Sequence, residues 1–581
     1  MQSETKNCQN CKKDFVIEPE DFNFYEKIKV PPPTFCPECR FQRRMTIRNE
    51  RIFYHRTCKL CGDKIISIYG DEQITVYCQK CWWSDKWDAT DYAQDYFFSE
   101  TFFEQYKKLL DSVPRISLNG HASNKNSEYV NYITQANNAY LCFGGSFLDN
   151  VMFSNLGVRI KDSMEINFSF DCELCYEIIN CKNCYRVVYG YSLKDCRDSY
   201  LLQDCVNCSE CILSCNLRNK TFCYKNKQLS EKEYLIKKEE FIKNLQKNNT
   251  SLQEEFKEIL ISEPKKFSNI FKSEKCTGNY ITESKNCVCC FNILLGENCK
   301  YSEDIVGTAK DIYDSTSVGL NCQNIYESTG MSANINQILF SSVTRTNSFD
   351  VKYSFGIESS SNCFGCIGLK HKQYCILNKQ YTKEEYEELV PKIIKHINDM
   401  PYIDAKGRIY KYGEFFPPEL SPFCYNETIA QEYFPLTKEE ALKQGYKWKD
   451  REARNYEIDI KNEDIPENIN EVNEDIIGKV IECEHKGTCN EQCTEAFKII
   501  EAEYQFYRRM NLPLPHLCPN CRHYQRLKQR NPLKLWHRTC MCDKKNHIHG
   551  DEHCEVEFET SYSPDRPEIV YCEKCYQQEV Y

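Results

Sequence analysis

The chain has 581 residues, of which 41% are hydrophobic and 13% aromatic, and this content excludes a wholly disordered protein. Its net charge of −10 excludes a generally basic surface of the kind that attracts nucleic acid without specificity. The length predicts about three to five domains.

Thirty-nine cysteines are typical either of a secreted disulfide-rich protein or of a reduced protein that binds metal. The amino-terminal sequence MQSETKNCQNCKKDF lacks the apolar stretch of a signal peptide. No run of about 18 apolar residues predicts a transmembrane helix. We therefore expect a cytoplasmic protein that has no contact with a membrane and uses its paired cysteines as thiolate metal ligands.

The first predicted domain, residues 1–90, is an amino-terminal double-zinc module. Its cysteines form four close pairs, which are Cys8/Cys11, Cys36/Cys39, Cys58/Cys61 and Cys78/Cys81. Eight thiolates suit two tetrahedral Zn²⁺ sites, because this ion accepts a closed shell of four cysteines. Sequential pairing is the simplest arrangement, and interleaved pairing is also consistent with the spacing. The first site looks like a treble clef and the second like a zinc ribbon.

A basic helix is predicted directly after Cys39, from Arg40 to Arg51. It carries four arginines of particular interest, Arg40, Arg43, Arg44 and Arg48. The next segment, residues 91–125, is predicted to be an aromatic connecting helix that ends before Pro114. We expect this helix to pack on the first module or on the next domain.

Residues 126–228 are predicted to form the first section of a β-solenoid. A 24-residue tandem repeat covers residues 171–194 and 195–218, and a fixed period of this kind is typical of stacked coils. Short strand-like runs between turn residues favour β over α structure. The repeated cysteines are expected to fill the interior of a narrow coil. The alternative is a further metal site formed by Cys205, Cys208, Cys211 and Cys215.

The remaining connections alternate between helix, solenoid and loop. We predict a helical insert at 229–275, a second β-solenoid section with a looser repeat at 276–380, and helices with a Pro-rich connection at 381–450. Capping boxes at Ser230/Glu233, Thr382/Glu385 and Thr437/Glu440 mark three helix starts. Residues 451–482 are rich in acids and are predicted to be a solvated tether.

The last predicted domain, residues 483–581, is a copy of the first module at an offset of 482 residues. Matching sequences such as His55-Arg56-Thr57-Cys58 and His537-Arg538-Thr539-Cys540 indicate a duplication. The aligned metal ligands are Cys489, Cys493, Cys518, Cys521, Cys540, Cys542, Cys572 and Cys575. Cys483, His485, His547, His549, His553 and Cys554 lie close by and are left outside the predicted sites. About four zinc ions are expected, in structural rather than catalytic sites.

Basic residues are concentrated in both modules, and this pattern suggests a nucleic-acid interface. Arginine has a fixed fork of donors suited to phosphate, and the copied helix carries Arg522, Arg526 and Arg530. The alternative is that these arginines brace the fold, paired with the acidic tether and with carboxylates of their own module.

The segments CPECRFQRRMTIRNE, YCILNKQYTKEEYEELVPKI and FYRRMNLPLPHLCPNCR resemble uncharacterised cysteine-rich zinc-ribbon and treble-clef proteins from environmental bacterial genomes. The resemblance spans most of the chain and implies the domain order given above. No activity is assigned to that group, so the resemblance implies no mechanism.

We therefore expect a mainly β protein with α inserts, in which duplicated zinc-binding modules flank a Cys-rich β-solenoid. It would be a non-enzymatic scaffold that binds RNA or a ribonucleoprotein through the basic modules and has no small-molecule cofactor. One alternative is a structural or assembly protein that binds a protein partner through the solenoid. Another is a β-solenoid hydrolase built from the aligned carboxylates Asp162, Asp171, Asp195 and Asp204.

Overall fold

The computed structural model describes residues 2–120, 123–246, 250–451 and 456–581. Strands account for 34% of the chain and helices for 24%, so the prediction of a mainly β protein with α inserts is confirmed at this level. The largest elements are two parallel sheets, and the cysteine-rich segments at the two ends of the chain pack against them.

The first parallel sheet is formed by successive strands that pair with the strand directly before and after them in the sequence. Each residue pairs with the residue 12 positions later, as in Val130 with Cys142 and Tyr185 with Arg197. The 24-residue sequence repeat therefore covers two steps of the sheet. Its parallel strands are Val130–Asn137, Cys142–Met152, Asn155–Glu173, Tyr176–Ile179, Tyr185–Tyr191, Arg197–Gln203, Ser209–Cys215 and Thr221–Tyr224, and Lys227–Gln228 closes it in antiparallel pairing.

A three-residue alternation explains why cysteine suits this sheet. Every third residue from Leu156 to Phe222 has a positive φ, and the residue that follows it is buried in most cases. Cys172, Cys184, Cys196 and Cys208 follow such residues at intervals of 12 and are at most 2% exposed. One inward residue in three gives about four inward side chains per 12-residue step, so the interior is narrow and favours small side chains. Asn and Asp recur at the positive-φ positions because they tolerate the left-handed region.

The second parallel sheet repeats this plan with a less regular period. The pairing offset is 12 residues between Gly278 and Cys290 but 13 between Ala309 and Cys322, after an irregularity at Leu294/Gly296. Its strands are Ile270–Phe271, Gly278–Thr282, Cys290–Lys300, Glu303–Val318, Cys322–Met331, Ile335–Leu339, Ser342–Thr344, Phe349–Lys352, Phe355–Ile357, Ser361–Phe364, Gln373–Ile376 and Lys379–Gln380.

Helices interrupt and cover the two sheets. The capping boxes at Ser230, Thr382 and Thr437 are present and begin three of them. The helices are Pro19–Lys27, Pro37–Met45, Gln79–Trp82, Phe102–Ser112, Glu231–Leu245, Thr250–Ser262, Lys383–Asp399, Ala430–Tyr433, Lys438–Lys443, Glu501–Met510, Pro519–Gln529 and Glu573–Val580. Within the described residues, no helix combines the length and apolar character needed to cross a membrane.

The aromatic helix predicted before Pro114 is Phe102–Ser112. It lies against the second sheet, where the ring of Phe102 is 5.3 Å from that of Tyr353 and 5.4 Å from that of Phe364. The basic helix after Cys36 ends at Met45 and is thus shorter than the predicted Arg40–Arg51.

The prediction of a solvated tether at 451–482 is wrong for the described part of that segment. Ile465, Ile469, Val472 and Ile476 are at most 5% exposed and belong to the same core as the carboxy-terminal module. Three short 3₁₀ turns, Asn462–Asp464, Ile469–Glu471 and Glu474–Ile476, bring these apolar residues to one side while the acids face outward. The prediction relied on the net charge of the segment and overlooked the three-to-four-residue spacing of these apolar residues.

Both terminal modules pack on the parallel sheets. In the amino-terminal module, Phe24 stacks on Tyr313 of the second sheet with ring centroids 3.8 Å apart. In the carboxy-terminal module, the ring centroids of Phe506 and Tyr507 lie 6.2 and 6.1 Å from that of Tyr176 in the first sheet. Phe506 lies 482 residues after Phe24, so the duplicated modules dock through equivalent residues. The two modules, which lie at the ends of the sequence, therefore pack on the sheets formed by the residues between them.

Candidate metal centres

The first cysteine group consists of Cys8, Cys11, Cys36 and Cys39, whose sulfur atoms all lie within 4.8 Å of one another. A hairpin of Glu4–Asn7 and Asp14–Ile17 carries the first two cysteines, and the other two begin the helix Pro37–Met45. The Sγ atoms of Cys11 and Cys36 are 3.7 Å apart. Four sulfurs at about 2.3 Å from a tetrahedral zinc would be separated by about 3.8 Å, so the geometry fits such an ion.

The second group brings together Cys58, Cys61, Cys78 and Cys81, again within 4.8 Å. Its first two cysteines lie between the strands Tyr54–Thr57 and Lys64–Ser67, and its last two begin the helix Gln79–Trp82. The two groups thus contain consecutive cysteine pairs and do not interleave. In both groups a backbone amide donates to sulfur over 3.2 Å, from Cys36 to Cys8 and from Cys78 to Cys58.

These amides favour the thiolate form that metal binding requires. Burial opposes ionisation of Cys58, but hydrogen bonds from the backbone of Cys78, Cys61 and Leu60 lower its pKa to about 7. Each group also places a cysteine at the start of a helix, where the positive end of the helix dipole stabilises negative charge.

The third group corrects the predicted ligand set of the carboxy-terminal module. It contains Cys493, Cys518 and Cys521 as predicted, but the fourth member is Cys483 rather than Cys489. The amide of Cys518 donates to Cys483 Sγ over 3.2 Å, which is the contact that Cys36 makes with Cys8. Nine residues separate Cys483 from Cys493, compared with two between Cys8 and Cys11, so an insertion displaced the close pair. Cys489 lies within this insertion, with its Sγ 3.7 Å from that of Cys521.

The fourth group contains Cys540, Cys572 and Cys575 as predicted, and Cys554 takes the place expected for Cys542. Cys554 precedes the strand Glu557–Thr560 by three residues, just as Cys61 precedes Lys64–Ser67. A second insertion between Cys540 and Cys554 carries Cys542, which belongs to a separate group with His547, His549 and Cys575. The adjacent strands, Ile481–Glu482 before Cys483 and Glu557–Thr560 after Cys554, were the signal that could have identified these two cysteines.

All 39 cysteines are described, and none forms a disulfide. Several groups can therefore hold metal ions. Neither the protein-family models nor the curated proteins compared with this chain give a match. The chemistry of the chain consequently has to be argued from its own residues.

The arginines predicted to bind nucleic acid in the first module are buried. Arg40, Arg43, Arg44 and Arg48 are at most 3% exposed. Arg40 Nη2 lies 2.9 Å from Asp314 Oδ2, and Arg43 Nη2 lies 2.8 Å from Glu327 Oε2. Both carboxylates belong to the second parallel sheet.

The other two arginines predicted to bind nucleic acid in the first module also pair with carboxylates. Arg44 Nη2 lies 3.5 Å from Glu303 Oε1, also in the second sheet, while Arg48 Nε lies 2.6 Å from Glu50 Oε1. Burial raises the pKa of Glu303 to about 8 and that of Glu327 to about 7, against the lowering effect of the neighbouring arginines. The helix therefore inserts its cations into an acidic region of the sheet.

The second module repeats this arrangement on the first sheet. Arg522 Nη1 lies 3.0 Å from Glu165 Oε1, and Arg526 pairs with the other oxygen of the same carboxylate. The guanidinium of Arg530 lies 3.7 Å from the ring centroid of Phe168. These three arginines are at most 8% exposed. All seven arginines predicted to bind nucleic acid are therefore buried, which corrects that prediction. Those that pair with a parallel sheet use carboxylates far away in the sequence.

The structure also bears on two alternatives from the sequence, a metal site among the repeated cysteines and a hydrolase site of aligned carboxylates. Cys205, Cys208 and Cys211 belong to the buried interior of the first sheet, whereas Cys215 lies outside that cluster, with its amide 2.8 Å from Asn226 Oδ1. The four candidate hydrolase carboxylates, Asp162, Asp171, Asp195 and Asp204, all have positive φ values. They therefore occupy left-handed backbone positions, which Asp tolerates, and Arg159 and Asn183 already donate to Asp171 and Asp195.

Proposed function

We propose that this protein is a zinc-stabilised structural scaffold. The four-cysteine groups are structural zinc sites in modules of the treble-clef and zinc-ribbon types, and the 12-residue parallel pairing is a β-solenoid in two sections. Four thiolates complete a tetrahedral shell and leave no position for a substrate, which supports a structural role.

The observation that carries this proposal is the burial of arginines that directly follow a zinc-ligand cysteine. Cys39 precedes Arg40, and Cys521 precedes Arg522, so the metal groups set the position of both helices. Each helix then places its guanidinium groups on carboxylates of a different sheet, Asp314 and Glu165. The metal ions would fix these helices, the arginines would fix the sheets, and the modules would act as braces for the scaffold.

Docking of each module on its sheet is favoured because the buried arginines and carboxylates pair with each other. A buried carboxylate without a cation is costly, and a buried arginine without a carboxylate is equally so. Correct docking of each module satisfies both groups at once. The equivalent pairs Phe24/Tyr25 and Phe506/Tyr507 add aromatic contacts to each interface.

The experiment is recovery of the native protein from cells, followed by measurement of bound metals, RNA and proteins. We expect zinc in several equivalents per chain and no RNA that resists moderate salt, because the arginines proposed for RNA binding are occupied internally. A protein that retains its fold without bound metal would overturn the proposal. Salt-sensitive RNA binding by the folded chain would instead favour the nucleic-acid hypothesis, through residues other than these seven.

A further inference from the structure

The insertion between Cys540 and Cys554 carries donor atoms for which the amino-terminal module has no counterpart. Two residues separate Cys58 from Cys61, whereas thirteen separate Cys540 from Cys554. The additional residues include Cys542, His547 and His549. Since the shorter loop already forms a four-cysteine group in the first module, these three donors are not required for that group.

The inserted donors converge beside the four-cysteine group. One ligand atom from each of Cys542, His547, His549 and Cys575 lies within 4.8 Å of the others. His549 Nε2 is 3.3 Å and His547 Nδ1 is 3.7 Å from Cys542 Sγ. Cys542 and Cys575 are fully buried, and His547 is 8% exposed. This set contains two sulfur and two nitrogen donors, a combination that Zn²⁺ accepts in a tetrahedral shell.

The second nitrogen of His547 supports a role as ligand. His547 Nε2 lies 3.4 Å from Glu579 Oε1, on the side of the ring away from Cys542. A histidine that binds metal through one nitrogen commonly directs the other to a carboxylate, which fixes the orientation of the ring. A tight turn, closed by the reciprocal backbone hydrogen bonds of His547 and Gly550, holds the inserted loop in position.

We propose that the carboxy-terminal module holds a two-metal centre in which the Cys575 thiolate bridges two zinc-like divalent ions. One ion would bind Cys540, Cys554, Cys572 and Cys575, and the other would bind Cys542, His547, His549 and the same Cys575. A sulfur atom has enough lone pairs to bind two ions. This inference rests on the proposed function, since it requires that the four-cysteine groups bind metal.

Charge balance favours the second ion. Four thiolates with one divalent ion carry a formal charge of −2, whereas five thiolates with two such ions carry −1. Without a second cation, ionisation of the buried Cys542 would bring the cluster to a formal charge of −3. A second cation therefore allows five cysteines to be ionised in one buried region at a lower net charge.

The test is the zinc content of the full-length protein and of matched variants, measured by elemental analysis and native mass spectrometry. We expect five ions per chain in the wild type and four in the double variant His547→Ala/His549→Ala. His553→Ala is the control, because His553 is exposed in the same insertion and outside both groups, and it should retain five. Circular dichroism should show that the double variant folds, as the first module does without such a loop.

The bridge itself is tested with ¹¹³Cd-substituted protein. A shared thiolate predicts scalar coupling between two ¹¹³Cd resonances, which is lost in the double variant. Four ions in both the wild type and the double variant, or five uncoupled resonances, would overturn this inference and leave the proposed function intact. Absence of metal from every variant would instead refute the proposed function.

Discussion

Replacement of Glu165 by Gln should specifically loosen the carboxy-terminal module. Glu165 is 1% exposed and is the carboxylate of the first sheet that pairs with both Arg522 and Arg526. The amide keeps the shape of the side chain but removes its charge, so Arg526 loses its buried counter-ion, whereas Arg522 retains Glu503, whose Oε1 lies 3.2 Å from Arg522 Nη1. Removal of one partner of such an ion pair costs about 3–5 kcal/mol, a large part of the roughly 5–15 kcal/mol that holds a typical protein folded.

Hydrogen exchange of the helix Pro519–Gln529 measures this effect at the interface itself. A loss of about 3 kcal/mol corresponds to exchange that is at least about 100-fold faster. Glu173→Gln is a matched control on the same strand, since Glu173 is 42% exposed and lies 3.4 Å from Lys161. That surface pair should contribute less than about 1 kcal/mol. Equal protection of the helix in both variants would refute the view that Glu165 anchors this module.

Two further predictions concern the corrected ligand set and the buried acids. Cys483→Ser should lose one metal ion per chain and unfold the third group, whereas Cys489→Ser should keep that ion; elemental analysis that shows the reverse would restore the sequence-based assignment. Burial raises the pKa of Glu303 from 4.5 to about 8. Between these pH values the folded protein therefore keeps a proton on Glu303, whereas the unfolded chain releases it. Glu303 should therefore contribute a loss of stability as the pH rises through this window, by at most about 1.4 kcal/mol per pH unit, and urea unfolding of Glu303→Gln should lack that component. Parallel pH profiles for the two proteins would contradict this reasoning.

The sequence predicted the cysteine groups best where the spacing was undisturbed. In the first module each close pair forms part of a hairpin or begins a helix, so Cys8, Cys11, Cys36 and Cys39 meet in the expected order. In the second module, insertions separated the paired cysteines, and a gapless alignment selected Cys489 and Cys542 because they lay nearer in the sequence. The strands that flank Cys483 and Cys554 are a better guide to the ligands than the distance between cysteines.

The arginines could not be assigned from the sequence because their partners are remote. The helix after Cys39 contains several cations and one acid, a pattern that suggests an exposed basic face. Its partners Glu303, Asp314 and Glu327 lie more than 250 residues away and become neighbours only when the second sheet forms. Likewise, the 24-residue repeat contains two 12-residue steps, since Asn183 lies midway between Asp171 and Asp195 at an equivalent positive-φ position.

The central claim is that metal binding in the modules supports the parallel sheets. Hydrogen exchange across the full-length protein, measured with metal bound and after removal by a chelator under reducing conditions, tests it most directly. Metal removal is expected to expose the helix Pro37–Met45 and also the amides around Asp314 and Glu327 in the second sheet, which are distant in the sequence from the cysteines of the metal groups. Loss of protection confined to the cysteine loops, with these strands unchanged, would contradict it.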